Sequence, residues 1–174
     1  MTNDLIVIGT ADGREGWVAD CEASLAGRDH IVVNRQGEYE LGVIRWCLEN
    51  ESFDRLIFLQ DSVVITDPTV FDRIAATPGS ICLNHAAHMH LSCHLGVYER
   101  HVMETIGVPR VDNKHDSMYL GEWGWTLGYI AVAGSITCFD QTQEWGQPEL
   151  RHGRWNVPHN MGYGIKYRAT GPPL

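Results

Sequence analysis

Short apolar runs alternate along the first third of the chain with longer segments that are apolar on one side only. Leu5-Ile6-Val7-Ile8, His30-Ile31-Val32-Val33 and Leu56-Ile57-Phe58-Leu59 read as strands, the last of them buried. Between them, Glu15 to Leu25 and Tyr39 to Leu48 read as helices. In the second of these, Leu41, Ile44 and Leu48 recur at helical spacing and Val43 and Trp46 widen the stripe, which predicts a helix lying on a sheet. The order strand-helix-strand-helix-strand predicts a parallel sheet with right-handed crossovers.

Beyond Leu59 the signals are more mixed. Val63-Val64-Ile65 is a further strand-like run, and Thr66-Asp67-Pro68 reads as a cap with proline at the first helical position, opening a helix through Ala75. Pro78-Gly79 turns the chain into a strand at Ser80-Ile81-Cys82-Leu83. A histidine-rich segment, His85 to His94, leads to a helix from about Tyr98 to Ile106, stopped by Gly107 and Pro109. Residues 110–117 read as a loop, and a further helix is expected from about Asp116 to Tyr129. The tail from Glu144 is rich in Gly, Pro, Trp and His and reads as an irregular wrap ending near Lys166-Tyr167.

Three loops follow the three parallel strands: Gly9 to Arg14, Asn34 to Gly37, and Gln60-Asp61-Ser62. Parallel strands bring all three to one edge of the sheet, where α/β proteins bind their ligands. Asp61 stands there as an isolated carboxylate at the end of an apolar strand, able to hold a divalent metal over the crevice. The first loop misses the GxGxxG spacing of dinucleotide sites, and no Gly-Lys-Ser/Thr follows it, which argues against a dinucleotide oxidoreductase and a P-loop NTPase.

Composition narrows the class. A chain of 174 residues has room for one ordinary domain, taken to span 1–174. The 44% hydrophobic and 20% charged content are those of a globular protein, and no apolar run approaches bilayer length. Residues 1–10 lack the pattern of a secretory signal, so the expected compartment is the cytoplasm. Five cysteines, never in a CxxC pair, argue for reduced buried thiols over a disulfide framework or a zinc knuckle. A formal charge of −9 disfavours direct nucleic-acid binding through a broad basic face.

Thr10-Ala11-Asp12-Gly13-Arg14-Glu15, followed by Cys21-Glu22-Ala23-Ser24-Leu25, resembles the first strand-loop-helix of GT-A glycosyltransferases. Gln60-Asp61-Ser62 stands where that family carries its DxD motif, with only the central carboxylate present. The resemblance implies a GT-A-like three-layer α/β sandwich, with a Rossmann-like βαβαβ N-terminal half, a mostly parallel sheet and a mixed C-terminal part. It implies a glycosyltransferase that moves a sugar from a nucleotide diphosphate sugar to an acceptor. Thr10, Asp12, Arg14, Asn34, Arg35, Gln60, Asp61, Ser62 and Lys166 would bind the donor. A divalent ion, Mn²⁺ or Mg²⁺, would sit on Asp61 with help from His152 or His159. For an inverting reaction, Glu122, set between aromatic residues in Tyr119 to Trp125, is the expected base, with Asp116 as the alternative.

The acceptor is open among protein, glycan, small metabolite and modified nucleobase, and the oligomeric state is equally open. Two other classes stand beside the transferase: a non-catalytic nucleotide- or glycan-binding module of the same fold, and a metallohydrolase built on His85, His88, His90 and His94. No single secondary structure gathers those four histidines on one face.

Overall fold

A computed structural model describes residues 2–35, 37–83, 95–139, 150–151, 154–156 and 164–168, the last three runs and positions 95 and 122 through their backbone alone. The first half follows the sequence pattern closely. Strands β1 (Asp4–Thr10), β2 (Ile31–Asn34) and β3 (Arg55–Gln60) alternate with helices α1 (Glu15–Ser24) and α2 (Tyr39–Asn50). β1 lies between the other two and is parallel to both, with Val7 opposite Ile31 on one side and Phe58 on the other.

The next elements are β4 (Val63–Ile65), α3 (Val70–Ala76), β5 (Ile81–Cys82), β6 (Leu95–Glu99) and α4 (Arg100–Ile106). Then come one turn of helix, α5 (Lys114–Asp116), a π-helical stretch (Ser117–Trp125), α6 (Thr126–Ala133) and β7 (Thr137–Cys138). The main sheet has the order β2-β1-β3-β6-β5-β7. β6 runs antiparallel to β3 and β5, while β5 and β7 are parallel. A parallel N-terminal half and a mixed C-terminal part are therefore both present, as the resemblance implied.

Alternation along the strands builds two cores, one on each face of the sheet. Ile6, Ile8, Ile57 and Leu59 pack with Cys21 and Leu25 near α1 and with Val70, Phe71 and Ile74 of α3. Val7, Leu56, Phe58 and Tyr98 point the other way, onto Leu41, Ile44 and Cys47 of α2, Val102 and Met103 of α4, and Trp125 and Tyr129. The chain reverses its direction across the sheet after β2. Right-handed crossovers therefore send α1 and α2 to opposite faces, and the crevice opens at the carboxyl ends of β1 and β3.

Several boundaries differ from the sequence reading. The helix expected from Pro68 begins at Val70, because Asp67 accepts from the backbone and the hydroxyl of Thr69 and holds a turn first. Residues Leu95–Glu99 form a strand where the helix was expected to begin at Tyr98. Gly96 lets this strand pass the Tyr98 ring, since a Cβ there would lie 3.1 Å from the phenol oxygen. The helix expected from Asp116 is widened into π geometry from Ser117 and runs on to Ala133. The tail, expected to be irregular, contributes β8 (Leu150–Arg151), β9 (Arg154–Asn156) and β10 (Gly164–Arg168). With β4 they form a second, four-stranded sheet in the order β4-β10-β9-β8. Pairing with β4 satisfies backbone groups that the Gly- and Pro-rich local sequence gave no reason to place in a ladder.

Candidate functional site

The carboxyl end of β3 delivers Asp61 against the end of β1, where the Asp61 N–H donates to the carbonyl of Gly9 at 3.0 Å. Gly9 leaves room for the side chains around it: a Cβ there would meet the Phe58 ring at 3.0 Å and Val43 at 3.2 Å. Thr10, the last residue of β1, donates its hydroxyl to Asp61 Oδ2 at 2.8 Å. Arg14, the N-cap of α1, donates from Nη1 to Oδ1 at 3.0 Å and to Oδ2 at 3.3 Å. The Asp61 side chain is 0% exposed, whereas that of Arg14 is 37% exposed. A buried carboxylate is thus met by a half-open guanidinium and a hydroxyl. Below it, burial pushes the Cys21 thiol up to about 12, with the negative charges of Asp61 and then Glu22 adding to the effect.

A cavity of about 160 Å³ opens beside this pair, lined on the polar side by Thr10, Arg14, Arg35, Glu40, Gln60 and Asp61. Arg35 comes from the loop after β2, where its backbone N–H donates to the Thr10 carbonyl at 3.3 Å. Its Nη2 donates to Glu38 at 2.9 Å, a carboxylate shared with Arg45. Arg35 Nε is buried without a hydrogen-bond partner among the described residues, a condition that native proteins rarely leave unmet by water or ligand. Tyr39, also on the cavity wall, opens α2 at φ +53°, the left-handed region that costs a side-chain-bearing residue roughly 1–2 kcal/mol. Such outliers concentrate at functional sites.

A second cavity, of about 320 Å³, shares Thr10, Ala11 and Arg14 with the first and is completed by Asp12, Glu15, Val18, Val32 and Asn34. Asn34 donates its amide to Asp12 Oδ1 at 2.6 Å, which joins the ends of the first two loops. The two cavities together reach the ~300–1,000 Å³ range of small-molecule sites.

The three loops expected to converge do so, and they bring Thr10, Asp12, Arg14, Asn34, Arg35, Gln60 and Asp61 onto the two cavities. Ser62 is buried beside them, its hydroxyl 3.4 Å from the Gln60 side-chain oxygen. Lys166 lies on β10 in register with Val63, its side chain outside the description. Glu122 falls within the π-helical stretch, and its side chain also lies outside the described set. Asp116 does not line either cavity: it accepts from the Asn113 amide at 2.8 Å, while its backbone N–H donates to Asn113 Oδ1 at 2.9 Å. His152, His159 and the segment from His85 to His94 lie outside the described residues.

Glu40 was not among the expected site residues. It sits in the first turn of α2, accepts from the Gln60 side-chain amide, and receives the Ser117 hydroxyl at 3.4 Å at the start of the π-helical stretch. The signal available in sequence was its position just after the second of the three loops. Gly121 brings the π-helical stretch against α2, since a Cβ there would lie 2.8 Å from Leu41 Cδ1.

A metal on Asp61 has to fit this geometry. A hard divalent cation binds carboxylate oxygens at roughly 2.0–2.6 Å, and one approaching Asp61 meets a fully buried group whose oxygens already accept from Thr10 and Arg14. Among the described residues, no group of three His, Cys, Asp or Glu side chains is placed to hold a metal. The described residues around Asp61 do not fit a divalent ion. Also among the described residues, no helix is long and apolar enough to cross a membrane.

The sequence matches no family model and no curated protein. Among solved structures, the chain superposes on a mutant of Drosophila beta-1,4-galactosyltransferase 7 in complex with manganese, UDP-Gal and xylobiose, with a TM-score of 0.53 and 11% identity. That match covers 78% of this chain and 64% of the other. TarS of S. aureus matches with a TM-score of 0.54 and 10% identity, over 80% of this chain and 35% of that one. The chain therefore spans less than two thirds of either protein. At these identities the likeness is one of fold: a mixed α/β, GT-A-like architecture of Rossmann type.

Proposed function

We propose that the protein is a glycosyltransferase that takes a nucleotide diphosphate sugar into the crevice at the ends of β1 and β3 and transfers the sugar to an acceptor. The observation that carries this reading is the meeting of Arg14 and Arg35, from two different loops, on one cavity at the switch point of a GT-A-like sheet. Guanidinium forks suit phosphate oxygens, which they meet with paired hydrogen bonds. In this reading the diphosphate lies between the two arginines, and the nucleoside extends along Asp12, Asn34 and Val32 in the adjoining cavity.

The chemistry then needs stabilisation of the departing diphosphate and activation of an acceptor hydroxyl. Arg14 and Arg35 are the described cations positioned for the first, placed before the reaction so that little reorganisation is needed as charge develops. For the second, Glu40 is the cavity carboxylate tied only to neutral partners among its described hydrogen bonds, the Gln60 amide and the Ser117 hydroxyl. Glu122 keeps its proposed role from the sequence, on a backbone segment that Gly121 seats against α2. No step runs through a metal ion.

The test is release of nucleoside diphosphate from a panel of uridine, guanosine and thymidine diphosphate sugars, with and without simple glycoside acceptors. Turnover of one donor, lowered at least about tenfold in Arg35→Gln, supports the transferase. Saturable binding of a donor with no release under any condition supports the binding module instead.

A further inference from the structure

We propose, resting on the donor-site reading above, that this site binds its diphosphate without a metal ion, with the Arg14 guanidinium occupying the place where a carboxylate-held cation would stand. In this arrangement Asp61 is the buried anchor of Arg14 and does not itself reach the ligand.

Three features of the geometry lead there. Asp61 presents no exposed surface: Thr10 donates to Oδ2 at 2.8 Å, and Arg14 Nη1 reaches Oδ1 at 3.0 Å and Oδ2 at 3.3 Å. A divalent ion binding there has to displace a guanidinium from its pairing with a desolvated carboxylate and would bring two positive charges together before any phosphate arrives. Arg14, in contrast, spends only Nη1 on Asp61, and a guanidinium carries five N–H donors in a planar fork. Its side chain is 37% exposed and lines both cavities, so the fork can serve an internal carboxylate and an entering phosphate together.

The surroundings agree with a cation fixed by the protein. Gln60 and Ser62, which flank Asp61, carry no charge with which to complete an ion's shell. Gln60 is turned instead to Glu40, the other carboxylate of the cavity. Arg35 supplies a second guanidinium to the same cavity from the loop after β2, with a buried Nε that lacks a hydrogen-bond partner among the described residues. A phosphate group between the two arginines would meet guanidinium donors on both sides, each held in place by its own carboxylate, Asp61 for Arg14 and Glu38 for Arg35.

The experiment is isothermal titration calorimetry of the full chain with uridine, guanosine and thymidine diphosphates, first in excess EDTA and then in Mn²⁺. The expected result is binding of one diphosphate in EDTA with a Kd within about threefold of that in Mn²⁺. Because Arg14→Gln alone leaves a buried, unpaired carboxylate, the test variant is Arg14→Gln combined with Asp61→Asn, which removes both charges at once. Its fold is checked by circular dichroism. This variant is expected to lose at least about tenfold in affinity in EDTA and in Mn²⁺ alike.

Binding that appears only with Mn²⁺ overturns the metal-free inference and leaves the donor site standing. Undiminished binding by the folded double variant also overturns the role of Arg14. Absence of binding to every diphosphate, with or without Mn²⁺, overturns the donor-site reading itself, and the inference with it.

Discussion

Arg55 and Asp4 close the β1–β3 ladder at the end opposite the crevice. Arg55 Nε donates to Asp4 Oδ1 at 2.8 Å and Nη2 to Oδ2 at 2.5 Å, a bidentate pair between residues that face each other in the strand register. The same guanidinium donates to the carbonyls of Thr77 at 2.6 Å and Ile74 at 3.2 Å, which caps the end of α3. At the other end, the Arg14–Asp61 pair joins the segments that follow the two strands. Arg55 is 3% exposed and serves the fold, whereas Arg14 is open to a cavity.

Replacing Arg55 by methionine is expected to destabilise the protein by about 3–5 kcal/mol, because it strands a carboxylate and two helix-end carbonyls in a place that water reaches poorly. Urea unfolding measures this as a lower midpoint at unchanged slope. Ligand affinity of the remaining folded protein should not change, since Arg55 lies at the far end of the strands from the cavities.

Stability is expected to fall as pH rises above about 9. Burial pushes the Cys21 and Cys47 thiols from 9.0 up to about 12, and the Tyr129 hydroxyl from 10.0 up to about 12. Between the ordinary and the raised values the unfolded chain releases protons that the folded chain retains, so deprotonation favours unfolding. The contribution is fully present below pH 9 and is lost by about pH 12. Tm measured across this window should decline, and Tyr129→Phe should flatten part of the decline. At neutral pH that variant should itself cost about 1–3 kcal/mol, because the Tyr129 oxygen accepts from the Glu99 N–H at 2.7 Å and meets Ser80 Oγ at 2.7 Å.

The same burial sets thiol reactivity. Cys138 is exposed, whereas Cys21, Cys47 and Cys82 are buried. Cys138 should react rapidly with a thiol reagent at pH 8, and Cys21 and Cys47 should react only at the rate of unfolding. Peptide mapping of the modified native protein would identify the residues, and early labelling of Cys21 would contradict the burial found here.

Tyr39 offers a test of function set against stability. Glycine adopts φ +53° without the side-chain penalty, so Tyr39→Gly should leave stability within about 1 kcal/mol of the parent, strain relief offsetting greater freedom in the unfolded chain. It also removes one wall of the cavity beside Arg35. Diphosphate affinity should therefore fall by about tenfold or more while Tm hardly moves. A parallel fall in both would mean that Tyr39 is held for packing alone.

If Glu40 activates the acceptor, Glu40→Gln should lower kcat by about 10²–10⁴ with little change in donor KM. The same loss in Glu122→Gln, with Glu40→Gln active, would give the role to the π-helical segment.

The reading from sequence was most complete where interactions are local. The strands and helices of the first half carry their own periodicity, and the three loops converge because parallel strands leave no other arrangement. It faltered at Leu95–Glu99, where one strand leads straight into a helix and Tyr98 belongs to both patterns. In the tail, β10 is defined by its partners β4 and β9 more than by its own composition. Asp116, the alternative base to Glu122, is engaged by Asn113 through both its side chain and its backbone in a local turn that the sequence did not show.

What the sequence by itself determined is the α/β order, the edge where the loops meet, and the presence there of two carboxylates, Asp12 and Asp61, and two cations, Arg14 and Arg35, because period and charge are written residue by residue. What only the tertiary structure decided is which of these touch. Asp61 is bound to Arg14 across 47 positions of chain, and Gln60 to Glu40 across 20. Such pairings depend on the register of β1 against β3 and on the entry of α2 beside them. Folding alone pairs the carboxylate that the sequence offered as a metal ligand with a cation that the chain itself supplies.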